Sequence, residues 1–106
     1  MSEKFDVIVS KRATQMLVDS AAFLAKVSVS AAEKLVADFE KTINSLEYLP
    51  RRCSVFKADY IPKNSYRYII FGKRYCALFQ IKDNIVYVDY VIDCREDYSW
   101  LFHENI

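Results

Sequence analysis

The pattern of apolar and polar residues in the second half of the chain predicts an antiparallel sheet. Three stretches rich in Tyr, Ile, Val and Phe cover residues 66–71, 74–82 and 85–94, and two short turn signals separate them. Gly72-Lys73 suits a two-residue type II′ turn, and Asp83-Asn84 can take the positive φ values of a type I′ turn. We therefore expect three consecutive hairpin strands.

Two-residue turns fix the register and thus the face on which each side chain lies. If Lys82 pairs with Ile85, the core face is almost wholly apolar. Its predicted members are Tyr75, Ala77, Phe79, Ile81, Val86, Val88, Tyr90, Ile92 and Cys94. The second face then carries Arg67, Ile69, Phe71, Arg74, Cys76, Leu78, Gln80, Lys82, Tyr87, Asp89, Val91 and Asp93. Arg67, Arg74 and Arg95 are expected to converge on this second, largely open face.

The first half of the chain predicts a short strand and two helices. Residues 5–9 are apolar enough to join the sheet, and apolar residues recur at three and four positions after Ser10, the expected N-cap of the first helix. Ser30-Ala31-Ala32-Glu33 matches a capping box for the second helix, which Pro50 is expected to stop. Two amphipathic helices with so short a connection form a hairpin that can cover the sheet.

This element order predicts an α+β fold, β-α-α-β-β-β with a short terminal helix near 98–102. A two-helix hairpin packs on one face of a mainly antiparallel four-stranded sheet. The 106 residues are 53% hydrophobic and show no linker composition, so residues 1–106 are expected to form one domain.

The chain has no apolar run long enough to span a membrane and no signal peptide, so it is expected to be cytoplasmic. One His and three widely spaced Cys predict no metal site and no cofactor. The predicted register places Cys76 and Cys94 on opposite faces, and the thiols are expected to stay reduced.

The net charge of +1 is unevenly distributed along the chain. Residues 51–95 contain nine Lys or Arg and four Asp or Glu, whereas the rest contains six and ten. The sheet region is therefore basic, which indicates an anionic partner, although ordinary solvated charge is the alternative.

Four sequence words carry a resemblance to a known superfamily. They are Tyr66-Arg67, Arg74-Tyr75, Phe79-Gln80-Ile81 and the run VDYVIDCRED at 88–97. Together with the element order, they resemble the RelE/ParE superfamily of type II toxin–antitoxin toxins. The resemblance implies a small bacterial protein neutralised by a cognate antitoxin. Its RelE branch cleaves mRNA on the ribosome without a metal, and its ParE branch inhibits DNA gyrase without a recognised catalytic set.

The resemblance also implies a set of catalytic candidates. Arg67 and Arg95 match positions that RelE-like enzymes use. Tyr98 is the nearest candidate for their terminal Tyr, although its spacing differs from that of the family, and Cys76 stands where those enzymes have a further Arg. Arg74 on the same predicted face could replace it. Arginine forks suit the charge of a phosphate group. The general base is left open between lysines of the 57–63 loop, Tyr98 and His103.

Other side chains are candidates for binding. Lys57, Lys63, Lys73 and Lys82 are expected to contact nucleic acid. Phe71, Leu78, Tyr87 and Val91 suit an amphipathic antitoxin segment as well as stacked bases. Alternatively, Arg74 forms a cross-strand ion pair with Asp93, and Arg95 pairs with neighbouring Glu96 or Asp97.

The sequence hypothesis is a toxin with a cognate antitoxin, acting as a metal-independent, ribosome-dependent mRNA endonuclease on ribosome and mRNA. The alternatives are a non-catalytic inhibitor of DNA gyrase and a non-toxic binding module of the same fold. No membrane partner is expected.

Overall fold

The computed structural model describes residues 4–58, 61 and 65–95. Its elements are β1 (Asp6–Val9), α1 (Lys11–Ala25), α2 (Val29–Ser45), a 3₁₀ helix (Pro50–Arg52), β2 (Arg67–Phe71), β3 (Tyr75–Lys82) and β4 (Ile85–Asp93). The sheet order is β1-β4-β3-β2, with β1 parallel to β4 and the other neighbours antiparallel. The predicted α+β architecture is confirmed. The expected terminal helix lies outside the described residues.

Serine side chains cap both helices, but only one cap is the predicted one. Ser10 Oγ accepts a hydrogen bond from the Ala13 backbone N–H at 3.0 Å, as expected. The cap of α2 is Ser28, which has an extended backbone. Its Oγ accepts a hydrogen bond from the Ala31 N–H at 3.2 Å. The predicted cap, Ser30, is wrong because that residue already lies in the first turn. In the described part of the chain, no helix is long and apolar enough to cross a membrane.

The helix hairpin and one face of the sheet enclose the main core, called here the helix-facing core. Its buried members are Phe5, Ala13, Leu17, Leu35, Phe39, Ile43, Leu46, Phe71, Tyr75, Ala77, Phe79, Val86, Val88 and Val91. Phe39 of α2 meets Phe71 of β2 edge to face, with ring centroids 5.3 Å apart. Each fully buried side chain of this size contributes about 1.5–3 kcal/mol of transfer free energy, so this core is the main source of stability.

A β-bulge changes the predicted register half-way along β4. Lys82 pairs with Ile85 and Phe79 with Val88, as predicted, but Leu78 pairs with Tyr90, which leaves Asp89 as an extra residue. An extra residue moves every later side chain to the opposite face. The predicted faces of Tyr90 and Val91 are therefore wrong: Val91 joins the helix-facing core, and Tyr90 packs on the other side.

The turn between β2 and β3 also differs from the prediction. Phe71 pairs with Tyr75, so the turn has three residues rather than two. Gly72 and Lys73 both take positive φ, at 58° and 72°. A Cβ added at Gly72 would lie 3.0 Å from Leu35 Cδ1, which explains the glycine. The extra residue places Arg67, Ile69 and Phe71 on the helix-facing side, so the type II′ prediction and their predicted face are wrong.

The turn between β3 and β4 has two residues, as predicted. Positive φ occurs at Asp83 (55°) but not at Asn84. A type I′ turn needs positive φ at both central residues. The predicted loop length and register are therefore confirmed here, whereas the predicted turn type is wrong.

The sheet face opposite the helices carries a second core instead of an open surface. Cys76, Leu78, Tyr90 and Ile92 are buried there, and Met16, Phe56, Tyr66 and Tyr68 pack against them. Phe56, in the segment before β2, packs on this face. Backbone hydrogen bonds hold that segment at the edge of β2, where the Phe56 N–H donates to the Tyr66 carbonyl at 2.7 Å and the Tyr68 N–H donates to that of Ser54 at 3.1 Å. The expectation of a largely open face is wrong for this part of the sheet.

Leu78→Ala tests the second core. Leu78 is fully buried, so its truncation should lower the free energy of unfolding by roughly 2–5 kcal/mol. Ile70→Ala is the control, because Ile70 is an aliphatic residue of the same sheet that is 54% exposed. Its cost should stay below about 1 kcal/mol. Urea unfolding followed by circular dichroism measures both, and equal small losses would contradict a second core.

Candidate functional site

Asp93, the last residue of β4, holds two of the predicted catalytic arginines. Its carboxylate accepts hydrogen bonds from Arg95 Nε and Nη2, both at 3.3 Å, and from the Arg95 backbone N–H at 3.0 Å. Arg74 Nε lies 3.8 Å from Asp93 Oδ2. The ion pair between Arg74 and Asp93, predicted as an alternative to a functional role, is thus confirmed. These three residues are called the Asp93 cluster.

The Asp93 cluster combines one carboxylate with two guanidinium groups. Burial of Asp93 acts to raise its pKa, but hydrogen bonds from Arg95 and the charges of Arg95 and Arg74 outweigh it and hold the pKa below its usual value. The carboxylate is therefore ionised at neutral pH. The side chains of Arg95 and Arg74 are 64% and 41% exposed, so both cations can meet an external anion.

Arg67 does not belong to this cluster. Its guanidinium donates hydrogen bonds to the carbonyls of Cys53 at 2.6 Å and Arg51 at 3.3 Å. Arg67 pairs with Phe79, four residues along β3 from Tyr75, the partner of Asp93. Four strand residues span about 13 Å. The expected convergence of three arginines is therefore wrong, and Arg67 fastens the loop that follows the 3₁₀ helix.

The predicted partner-binding side chains are mostly inside the protein. Phe71, Leu78 and Val91 are 3%, 0% and 2% exposed. Phe71 and Val91 pack in the helix-facing core because the turn and the bulge changed their faces, whereas Leu78 keeps its predicted face and is buried in the second core. Of the four predicted residues, Tyr87 alone is partly exposed. The expectation that the other three form an open binding surface is wrong.

The predicted nucleic-acid-binding lysines do not form one patch. Lys57, Lys73 and Lys82 are all exposed. Lys73 lies in the turn before β3, and Lys82 is the last residue of that strand, so the two lie at opposite ends of the sheet. Lys63 and Tyr98 lie outside the described residues. Among the residues that are described, no group of His, Cys, Asp and Glu could hold a metal ion.

The bulge gathers a polar cluster that sequence reasoning missed. Arg12 Nη1 donates to the Tyr90 hydroxyl at 2.5 Å, and its guanidinium carbon is 4.6 Å from the Tyr90 ring centroid. The Tyr66 hydroxyl donates to Asp89 Oδ2 at 3.1 Å. Burial, followed by the charge and hydrogen bond of Asp89, raises the pKa of Tyr66. Tyr66 therefore remains protonated. No local sequence signal could have found this cluster, because it depends on the bulge.

A groove of about 300 Å³ lies beside Arg74, between the helix hairpin and the turn that joins β2 to β3. Its floor contains Leu24, Leu35 and Tyr75, and its rim carries charged side chains. The charged lining residues are Lys34, Asp38, Lys73 and Arg74. An apolar floor with a mainly basic rim suits an acidic amphipathic peptide segment.

Comparison with known proteins assigns the chain to a family. A family model described as the ParE toxin of type II toxin–antitoxin system, parDE, matches residues 7–98. The chain belongs to the ParE toxin family. It is therefore a type II toxin with a cognate antitoxin as its partner, and the resemblance to the RelE/ParE superfamily is confirmed. A search of curated proteins found no match.

A solved structure supports the same fold for this ParE-family chain. It is described as the chromosomal ParDE TA system from P. aeruginosa, and it is similar with a TM-score of 0.69 at 14% identity. The similarity covers 87% of this chain and 98% of that chain. At this identity the likeness concerns the fold.

Asp93→Asn tests the charge balance of the Asp93 cluster. The amide leaves two guanidinium groups without their shared anion, so the free energy of unfolding at pH 7 should fall by roughly 1–3 kcal/mol. The folded pKa lies below the unfolded value near 3.8. The stabilisation is therefore complete above that pH and disappears as the pH falls through the folded pKa. Urea titrations of wild type and variant should converge as the pH falls below about 4.

The matched control for this prediction is Asp38→Asn. Asp38 pairs with the exposed Lys34 one turn away on α2, at 3.3 Å. Such surface pairs contribute about 0.3–0.5 kcal/mol. A difference between wild type and Asp93→Asn that stays constant from pH 7 to pH 2 would contradict an ionised Asp93 as the source of the stabilisation.

Proposed function

We propose that this toxin inhibits DNA gyrase by binding it, without a catalytic step, and that its antitoxin neutralises it. The observation that carries the proposal is the separation of Arg67 from the Asp93 cluster. This geometry favours the non-catalytic branch of the superfamily over the ribosome-dependent nuclease.

RNA cleavage through the 2′-hydroxyl requires cations on one phosphate, a base and an acid. Arg67 lies about 13 Å along the sheet from the strand pair that carries Asp93. Its guanidinium already donates hydrogen bonds to two backbone carbonyls. This separation and the two hydrogen bonds favour a structural role for Arg67 over a phosphate shared with Arg95.

Two further positions argue against a nuclease site on this sheet. Cys76 stands where the resemblance expects an arginine, and this residue is 1% exposed inside the second core. A side chain there does not reach RNA bound at the surface. Tyr66, the tyrosine next to Arg67, is held protonated by its burial and by Asp89 and so does not act as a base.

The antitoxin is proposed to occupy the groove beside Arg74. The floor of this groove offers apolar contacts to one face of a helix or extended segment. Lys34, Lys73 and Arg74 at the rim favour acidic side chains on that segment. Because Arg74 belongs to both the groove and the Asp93 cluster, a bound antitoxin covers part of the cationic surface that gyrase would contact.

The ribosome-dependent nuclease is kept as the second candidate because of Arg74 and Arg95. Both guanidinium groups are exposed on either side of one carboxylate and could hold a phosphate. This candidate requires a base and an acid from elsewhere on the complex with the ribosome. It therefore predicts an activity that appears only during translation.

The discriminating experiment pairs two assays on the purified full chain. Supercoiling of relaxed plasmid by DNA gyrase with ATP should fall as the protein is added and recover when the antitoxin is added. Primer extension on a reporter mRNA in a reconstituted translation reaction should show intact message. Cuts in register with codons, with unimpaired supercoiling, would contradict the proposal and support the nuclease. Inactivity in both assays would support the non-toxic binding module.

Arg95→Ala tests whether the Asp93 cluster contacts gyrase. A buried interfacial arginine contributes more than about 1 kcal/mol, so the concentration for half inhibition should rise roughly tenfold. Lys82→Ala is the control, because it removes another exposed cation, from the opposite end of the sheet. Circular dichroism confirms that both variants fold. Equal losses in both would indicate that general positive charge, not this cluster, carries the inhibition.

A further inference from the structure

Two of the three cysteines lie side by side at one end of the sheet. Cys76 of β3 pairs with Ile92, and Cys94 follows two residues later on the neighbouring strand. Because the bulge reverses the faces of β4, the side chain of Cys94 has the same orientation as those of Ile92 and Cys76. The Cys94 N–H donates to the Arg74 carbonyl at 2.7 Å, which holds Cys94 against β3. Cys94 is therefore the diagonal neighbour of Cys76 on the same side of the sheet.

The two thiols differ in their access to solvent. Cys94 is exposed, whereas Cys76 is buried in the second core. Burial, followed by the neighbouring Cys94, raises the pKa of the Cys76 thiol. A small oxidant in solution therefore reaches Cys94 first and leaves Cys76 as an intact thiol beside it. Reversible thiol oxidation often uses an accessible cysteine that has a second cysteine beside it.

We propose that Cys94 is a site of oxidation by peroxide and that Cys76 resolves the product as an intramolecular disulfide. The Cys94 thiolate attacks one oxygen of hydrogen peroxide. An S–O bond forms and the O–O bond breaks, which gives a sulfenic acid and, after proton transfer, water. The Cys76 sulfur then attacks the Cys94 sulfur, an S–S bond replaces the S–O bond, and the departing hydroxide takes the Cys76 proton as a second water. A dithiol reductant reverses the step.

The backbone has to move slightly for this bridge to close. Diagonal neighbours across an antiparallel pair have Cα atoms about 7–8 Å apart, and disulfides need about 4.4–6.8 Å. Cys94 follows the last residue of β4 and is held to β3 by its hydrogen bond to Arg74, so the shift of roughly 1 Å falls at the end of the ladder rather than inside the sheet. It also falls between Asp93 and Arg95, so oxidation is expected to disturb the Asp93 cluster.

Peptide mapping of the peroxide-treated full chain tests the proposal. After alkylation of free thiols under denaturing conditions, trypsin separates Cys76 in peptide 75–82 from Cys94 in peptide 83–95, and Cys53 falls in peptide 53–57. The expected product is one species in which 75–82 and 83–95 are joined with the loss of two hydrogen atoms. Dithiothreitol should separate the two peptides. The readout is chemical, so it does not depend on the proposed gyrase activity.

Three variants decide between this pair and unspecific oxidation. Cys94→Ser should abolish the linked species, and it changes an exposed residue that the fold tolerates. Cys76→Ala should also abolish it and leave a Cys94 sulfenic acid that dimedone traps. Cys53→Ala should form the linked species as wild type does. Links through Cys53, or a wild-type Cys94 that proceeds to sulfinic acid without any linked species, would overturn the proposal.

Discussion

The ladder between β3 and β4 contains one more residue on β4 than on β3, and this residue, Asp89, decides what each half of the sheet buries. Before the bulge, β4 contributes Val86 and Val88 to the helix-facing core. After it, Tyr90 and Ile92 face the opposite side, where the segment before β2 covers them. One strand therefore contributes side chains to both cores. At the bulge, Asp89 also accepts a hydrogen bond from the hydroxyl of Tyr66, the residue directly before β2.

Part of the positive charge of the sheet region is bound by groups of the protein itself. Several arginines in this part of the chain stabilise backbone or aromatic groups. Arg52 donates to the carbonyls of Tyr48 and Leu49, and Arg67 donates to those of the neighbouring loop. A surplus of positive charge in sequence therefore overstates the charge available to a partner. Arg74 and Arg95 differ, because their shared carboxylate orients both while leaving each substantially exposed.

The pattern of apolar residues was sufficient to predict the elements and their order. The hydrophobic period located both helices and all four strands, and the turn at Asp83-Asn84 set the register of the first half of the hairpin correctly. That half is regular, so each side chain follows from its neighbour. The helix hairpin could also be predicted from sequence, because the apolar faces of α1 and α2 both pack on the same face of the sheet.

The bulge and the three-residue turn could not be predicted, because no residue type demands either of them. Asp89 is compatible with an ordinary strand position, and Gly72 suits turns of two or three residues. Each feature shifts a strand by one residue and so changes the face of everything beyond it. The Asp93 cluster was partly predictable, since Arg74 and Asp93 are near each other in either register. Arg67 was not, because its position depends on the turn.

The same shift changes the neighbours of residue 76, whose own face is the predicted one. In the regular register this side chain would lie on an open face, where an arginine is easily solvated. In the bulged register it packs against the second core and is 1% exposed. A guanidinium there would have to leave water without an anion to pair with, which costs several kcal/mol. Cysteine behaves as a small apolar residue and fits. The presence of cysteine rather than arginine at this position therefore agrees with the burial of the second face.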